Sequence, residues 1–391
     1  MDNKGGKRRP LRGRRVVAAA AAAASLLGFA LAGSSASAGG TIKFGFLNAL
    51  TGPYAVAGAP ELDGIKLAVK DINASGGVCK SQIQLAATAD DQGQANLSIV
   101  GLRKLVQQDG LSLIVGPGIT PPGLADAPLA ESLKVWFMEE TAQSQPWTGR
   151  KYVFSAITPQ TVEGQLVFNW LKKKLGPGTH KVAIVYAAVP YAQAGFTQLQ
   201  SLAKAAGWTL VDTDSYDPGG LTFNSQASKV ASANPQGLMI WGAATPADAQ
   251  VLKQIRQAGY KGPIAGDVAF SLPFIPTDAG AAADTITTLT QLNTINPPAA
   301  TRKFLAEFKK AYKQGATYLP GAAYDAVHVL AAAIKRAGCK TDATSVSKAM
   351  IGLKYAGVNG PYDYTSTYKG GPPVQSFRYI TYKNGQAVYT K

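Results

Sequence analysis

Bond-making chemistry needs nucleophiles, bases or metal ligands at fixed spacings, and this chain offers few. Its 391 residues include two histidines and two cysteines. His180 follows Gly-Pro-Gly-Thr and reads as part of an exposed turn. His328 lies in the helical segment 324–335, where a lone histidine is an ordinary structural residue. Neither has a second histidine four residues on, so the zincin spacing is missing. A G-x-S-x-G elbow, a Walker loop and a G-x-G-x-x-G after a strand are missing too. Gly116-Pro117-Gly118 lacks the Lys-Ser/Thr that phosphate transfer needs. The expectation is therefore a protein that is not an enzyme and carries no cofactor. The side chains left for function are binding groups: Thr120, Thr141, Tyr191, Asp267, Glu139 and Glu140.

These six lie just past short apolar runs at 44–47, 113–115, 135–138, 182–186 and 238–241, or in the similar loop 266–270. The runs are nearly continuous rather than alternating, as in parallel strands covered on both faces. Amphipathic segments lie between them. In 61–73, Leu62, Ile65, Val69 and Ile72 form the stripe, while Glu61, Asp63 and Lys66 fall elsewhere. In 245–258, Thr245 suits an N-cap, Pro246 the first helical position, and Gly259 a stop. Strand–helix alternation of this kind is α/β, and ligands of open parallel sheets gather beyond the carboxyl ends of the strands. The pattern starts twice, at Lys43 and at Lys181. The second start runs through a loop at 187–194 into a helix near 195–206, so two similar lobes are expected. The end of the chain differs: 375–382 and 386–390 read as a β-hairpin around Lys383-Asn384-Gly385.

Composition fits a folded, exported chain. Apolar residues make up 46% and charged ones 16%, which excludes a disordered polyelectrolyte. The net charge is +16, but the seven cations and one acid before residue 39 account for six of it. The remaining basic charge is spread along the chain, which gives nucleic-acid binding no focus. Residues 1–38 read as a signal peptide: a basic start, an alanine-rich apolar run at 16–32, and Ala36-Ser37-Ala38 as the cleavage site. A membrane anchor is the rival reading, but 17 residues, mostly alanine, fall short of the ~20 that a span needs. Arg14-Arg15 leaves open a twin-arginine route beside the general one. Outside the cytoplasm, Cys79 and Cys339, each in a Gly-rich turn after a helix-like segment, are expected to pair in one disulfide; two unpaired thiols are the alternative.

The sequence also resembles a known family. Leu50-Thr51-Gly52-Pro53-Tyr54, Gly64–Val69 and Asp71-Ile72-Asn73-Ala74-Ser75-Gly76-Gly77-Val78 are similar to the opening of the periplasmic leucine/isoleucine/valine-binding proteins. These are the type I solute receptors of branched-chain amino acid ABC importers. The resemblance continues in order through Ile114-Val115-Gly116-Pro117, Tyr152-Val153-Phe154, Ala233-Asn234-Pro235, Ala323-Tyr324-Asp325-Ala326-Val327 and Val358-Asn359-Gly360-Pro361. It implies two Rossmann-like lobes, 41–156 with 290–358 and 157–289 with 359–391, joined by a hinge of three crossing strands. Both cysteines then belong to the first lobe.

Function follows from the same resemblance: capture of a small amino acid or related polar carboxylate between the lobes, for delivery to an ABC permease in the membrane. It implies that Thr120 and Thr141 hold the ligand carboxylate, Asp267 its ammonium, and that Tyr191 joins on closure. The chain departs from the family where small neutral residues usually precede Thr141, having Glu139-Glu140 instead. Ala57 and Ala243 or Ala244 stand where pocket aromatics are common. A roomier, more acidic pocket is one reading; both glutamates in solvent, the usual fate of Glu, is the other. Tyr54 and Trp136 are read as packing. The alternative functions are an exported ligand sensor, or a receptor for an aromatic acid, amide or urea. A monomer is the default.

Overall fold

The computed structural model describes residues 40–390. The signal segment expected at 1–38 lies outside the described residues. The chain begins with β1 (Thr41–Asn48), α1 (Ala55–Ala74), β2 (Gln82–Asp90), α2 (Ala95–Arg103), β3 (Leu113–Val115), α3 (Thr120–Leu133), β4 (Trp136–Glu139) and β5 (Val153–Ser155). The strands form a parallel sheet in the order β2-β1-β3-β4-β5. β3, β4 and β5 are buried along their whole length, because helices cover both faces.

A second α/β series follows: α4 (Gln160–Leu175), β6 (Lys181–Ala187), α5 (Pro190–Ala205), β7 (Thr209–Tyr216), α6 (Asn224–Ala233), β8 (Gly237–Trp241), α7 (Pro246–Gln257), β9 (Ile264–Gly266), α8 (Phe274–Ala279) and β10 (Ile286–Thr290). The chain then returns to the first lobe with α9 (Ala299–Tyr312), α10 (Tyr318–Arg336) and α11 (Ala343–Met350), where α10 packs along α1. A small hairpin, β11 (Lys354–Ala356) and β12 (Pro361–Asp363), precedes the last crossing. β13 (Arg378–Lys383) and β14 (Gln386–Tyr389) complete the second sheet, ordered β14-β13-β10-β9-β8-β6-β7. β13 and β14 are the expected hairpin, with Asn384 and Gly385 both at positive φ in the turn.

Three segments, 156–159, 291–298 and 364–377, carry the chain between the sheets. They lie side by side but lack regular strand structure, unlike the crossing strands expected. Hydrogen bonds lace them together: Gly371 N–H to Ile157 O (2.9 Å), the Gln291 amide to the Thr158 hydroxyl (2.6 Å), and that hydroxyl to Pro372 O. The last passage starts beyond β12, a few residues later than the 358/359 limit inferred from sequence. Asp325 of α10 anchors it, accepting from Val358 N–H (2.8 Å), Asn359 N–H (3.1 Å) and the Tyr362 hydroxyl (3.2 Å).

Two helices begin earlier than their patterns suggest. α1 opens at Ala55, ahead of Pro60, and Gly58 lets it close on the end of β1, since a Cβ there would meet Ala49 O at 2.1 Å. α5 opens at Pro190, where a missing N–H costs nothing, so Tyr191 sits in a helix's first turn and not in a loop. α7 starts at Pro246 as expected, and the Asp248 carboxylate reaches back to the Thr245 N–H at 3.2 Å. Cys79 and Cys339 form a disulfide with Cα atoms 5.9 Å apart, tying together the ends of α1 and α10. His180 is not in an exposed turn: it is 8% exposed, its ring set edge-on against Trp208, with Nε2 at 3.1 Å from Gly176 O. Among the described residues, no helix is long and apolar enough to cross a membrane.

Candidate functional site

Where the strands of both sheets end, the first turns of α3, α4, α5 and α10 and the first two turns of α1 line a cavity of about 100 Å³. A water needs ~10–15 Å³ of such space, so the cavity admits a solute of up to about ten heavy atoms. Its wall is mostly apolar, with Ala57, Ile119, Ala142, Ile157, Val189, Ala243, Ala244, Val268 and Leu319 among its residues. The same wall includes Tyr54, Thr120, Tyr191 and Tyr318 and the acids Glu61, Glu140 and Glu163.

The second lobe contributes a compact acid cluster. The Tyr191 hydroxyl lies 2.8 Å from Glu163 Oε2 and 2.8 Å from Asp267 Oδ2. Asp267 Oδ1 accepts the Gly242 N–H at 2.9 Å. One phenol proton cannot serve two carboxylates fully, so the trio is complete only with a further proton or a cation. Burial raises the Glu163 carboxyl to about 8, helped by the charge on Asp267. Burial likewise raises Asp267 to about 7, against the opposing hydrogen bonds from Gly242 and Tyr191.

The first lobe supplies a second cluster. The Asn48 side-chain amide donates to Glu61 on α1. Glu139, at the end of β4, accepts the Thr141 N–H at 2.6 Å through Oε2. Glu140 follows it, and neither of its carboxylate oxygens has a hydrogen-bond partner. Burial raises Glu61 and Glu139 to about 8. Glu140 is held well above the carboxylate range by burial, then by the charges of Glu61 and Glu139. Among the described residues, the ion pairs link exposed lysines to other acids, and none reaches either cluster. No group of three or more His, Cys, Asp or Glu among them is arranged to hold a metal ion.

Of the six residues singled out in the sequence, Thr120, Glu140 and Tyr191 are on the cavity wall. Thr141, Glu139 and Asp267 are not; they are buried one layer behind it. Thr141 has its N–H engaged by Glu139, and Asp267 accepts from the Tyr191 hydroxyl. The reading that puts Glu139 and Glu140 in solvent is wrong: they are 0% and 2% exposed, because the end of β4 runs beneath the cleft. Tyr54, read as packing, is on the wall, whereas Trp136 is in the core. Ala57, Ala243 and Ala244, where aromatics were expected to be missing, do line the cavity.

Sequence reasoning missed Glu61, Glu163 and Tyr318. For Glu61 a signal existed: it precedes Ile65 by four residues and Ile72 by eleven, which puts it on their buried face. Glu163 stands in the first turn of a helix reached by a crossing between lobes and Tyr318 in the first turn of a helix that follows another helix, both away from any legible strand end.

A family model for the periplasmic binding proteins matches residues 41–387. The chain belongs to that family. A leucine-, isoleucine-, valine-, threonine- and alanine-binding protein of Pseudomonas aeruginosa is 26% identical to it over 345 residues, 87% of this chain and 89% of the relative. Two solved structures share the fold. The branched-chain amino acid transporter substrate-binding protein of Streptococcus pneumoniae, in complex with isoleucine, superposes with a TM-score of 0.79 at 23% identity, covering 89% of this chain and 97% of that one. A solute-binding protein of an ABC transporter from Rhodopseudomonas palustris, in complex with 3,4-dihydroxybenzoic acid, gives 0.79 at 22% identity, covering 89% and 95%. The two α/β lobes are thus the type I periplasmic binding protein fold. The family is one of solute-binding proteins of ABC transporters rather than of enzymes, and membership implies export.

Proposed function

We propose that this protein is the exported receptor of an ABC importer and that it captures a small amino-group-bearing solute, an amino acid in the first instance, between its lobes. The observation that carries the reading is the Tyr191–Glu163–Asp267 cluster, with Tyr191 and Glu163 on the cavity wall. A buried carboxylate pair without a cation is costly, and an ammonium supplies the missing charge and donors. The apolar belt takes the body of the solute, and Thr120, at the start of α3, is the hydroxyl within reach of a carboxylate. The names of curated relatives point to amino acids. An aromatic acid of the kind bound by the Rhodopseudomonas protein would bring its anion among carboxylates.

Binding shifts the lobes toward the closed form because only that form offers both walls at once. The closed form, a monomer, is what the membrane permease reads. Calorimetry with a panel of amino acids tests the proposal. An α-amino acid binds the native protein, and Asp267→Asn and Tyr191→Phe each weaken it at least tenfold. Unchanged affinity in both variants overturns the assignment.

A further inference from the structure

We infer that the first-lobe wall around Glu140 and Glu61 is a second nitrogen-binding subsite, so that the preferred solute carries a cationic nitrogen at each end. The inference deepens the proposed function and rests on its amine site in the second lobe. Three observations carry it. Glu140 is a residue of the cavity wall, is 2% exposed, and has both carboxylate oxygens buried and unpartnered just behind it. A buried acceptor pair left empty costs more than almost any other polar arrangement, and charge-assisted N–H donors relieve it best. Glu61 stands on the same wall, with the Asn48 amide as its one side-chain partner.

The third observation concerns what the first lobe lacks. A carboxylate is normally welcomed at a helix N-terminus by free N–H groups. Here α3 opens Thr120-Pro121-Pro122, so two of its first three residues have no N–H to give. The wall nearest Glu140 is therefore poor in donors and rich in acceptors. It favours a cationic nitrogen beside Glu140, and of α3 it leaves a carboxylate the Thr120 side chain. With Glu163 of the second lobe on the same cavity's wall and a volume of about 100 Å³, the proposed solute is a short carbon body bearing two nitrogens. Diamino acids such as ornithine and diamines such as putrescine share that chemistry.

Competitive calorimetry at pH 8 on the purified protein decides it, with ornithine, putrescine and isoleucine as probes. The expected result is at least tenfold tighter binding of ornithine or putrescine than of isoleucine. Preference for ornithine over putrescine assigns the carboxylate a place at Thr120; the reverse leaves that place empty. Glu140→Gln, nearly isosteric, is expected to bring the dication-to-isoleucine ratio down at least tenfold, with Glu61→Gln moving it the same way. Unfolding midpoints of both variants verify that they are folded. Isoleucine binding more tightly than either dication, or a ratio untouched by Glu140→Gln, overturns the subsite and leaves the receptor reading intact. No binding of any of the three probes overturns both.

Discussion

Without ligand, this protein should lose stability as the pH rises through neutrality, the opposite of the usual behaviour of carboxylate-rich proteins. Burial raises Glu61, Glu139 and Glu163 to about 8 and Asp267 to about 7. In the unfolded chain the same groups titrate near 4. The native state therefore holds protons that the unfolded chain has released. A raised carboxyl contributes stability that is complete below its unfolded pKa and is lost as the pH climbs through the folded value. His328 works the other way: burial lowers it to about 4, so its penalty falls between pH 4 and about 6.5. Above pH 6.5 the carboxyls alone set the slope, with Asp126 and Asp325, also raised to about 7 by burial, adding to it in the same direction.

If each acid cluster holds one proton at pH 6.5, two excess protons give a slope of about 3 kcal/mol per pH unit, at about 1.4 for each proton. With a urea m-value of about 3 kcal/mol/M, the midpoint drops by about 1 M from pH 6.5 to 7.5. Urea titrations followed by tryptophan fluorescence at half-unit steps measure it. Glu140→Gln with Glu163→Gln should flatten the slope by removing one acid from each cluster. A midpoint that is level or rises over this window refutes the claim that these carboxyls are protonated at neutral pH in the empty protein.

Replacing Cys79 and Cys339 together by serine opens a loop of 260 residues. Chain entropy alone sets the cost at about 5–6 kcal/mol, and a measured loss of about 3–5 kcal/mol in urea unfolding is expected; a loss under about 1 kcal/mol contradicts a structural role. Asp325→Ala leaves the Val358 and Asn359 N–H groups and the Tyr362 hydroxyl without their shared acceptor, at a cost of about 3 kcal/mol in the same assay. Asp325→Asn should cost less, because it still accepts. Gly195→Leu drives a side chain into Trp241, against which even a Cβ would lie 2.4 Å away; the expected result is loss of soluble protein or a fall of several degrees in the thermal midpoint.

What the sequence reveals of the fold follows burial on both faces. β3, β6 and β8 are apolar almost throughout and stand out as strands, since a parallel strand roofed by helices has no wet side. The edge strands β2 and β7 alternate in burial or carry polar residues such as Asp212, Thr213 and Asp214, and they escape notice. The starts of α1 and α5 hide behind Gly58, Pro60 and Pro190, residues that elsewhere mark loops. In the site, Tyr191 is legible because it follows a strand of that obvious kind. Glu140 is legible in position but not in burial: side-chain type places a glutamate in water, and only the course of β4 beneath the cleft overrides it.

The same conflict explains why the acids are where local rules forbid them. Glu61, Glu139, Glu140, Glu163 and Asp267 are buried carboxyls with no cation beside them, and they gather around one cavity. Scattered through the core, such residues would only lower stability. Gathered at the meeting of two lobes, on the proposed function they make a cation the group that best satisfies the closed form. If so, the differential affinity that closes the lobes comes from correcting a defect of the empty protein as much as from contacts with the solute.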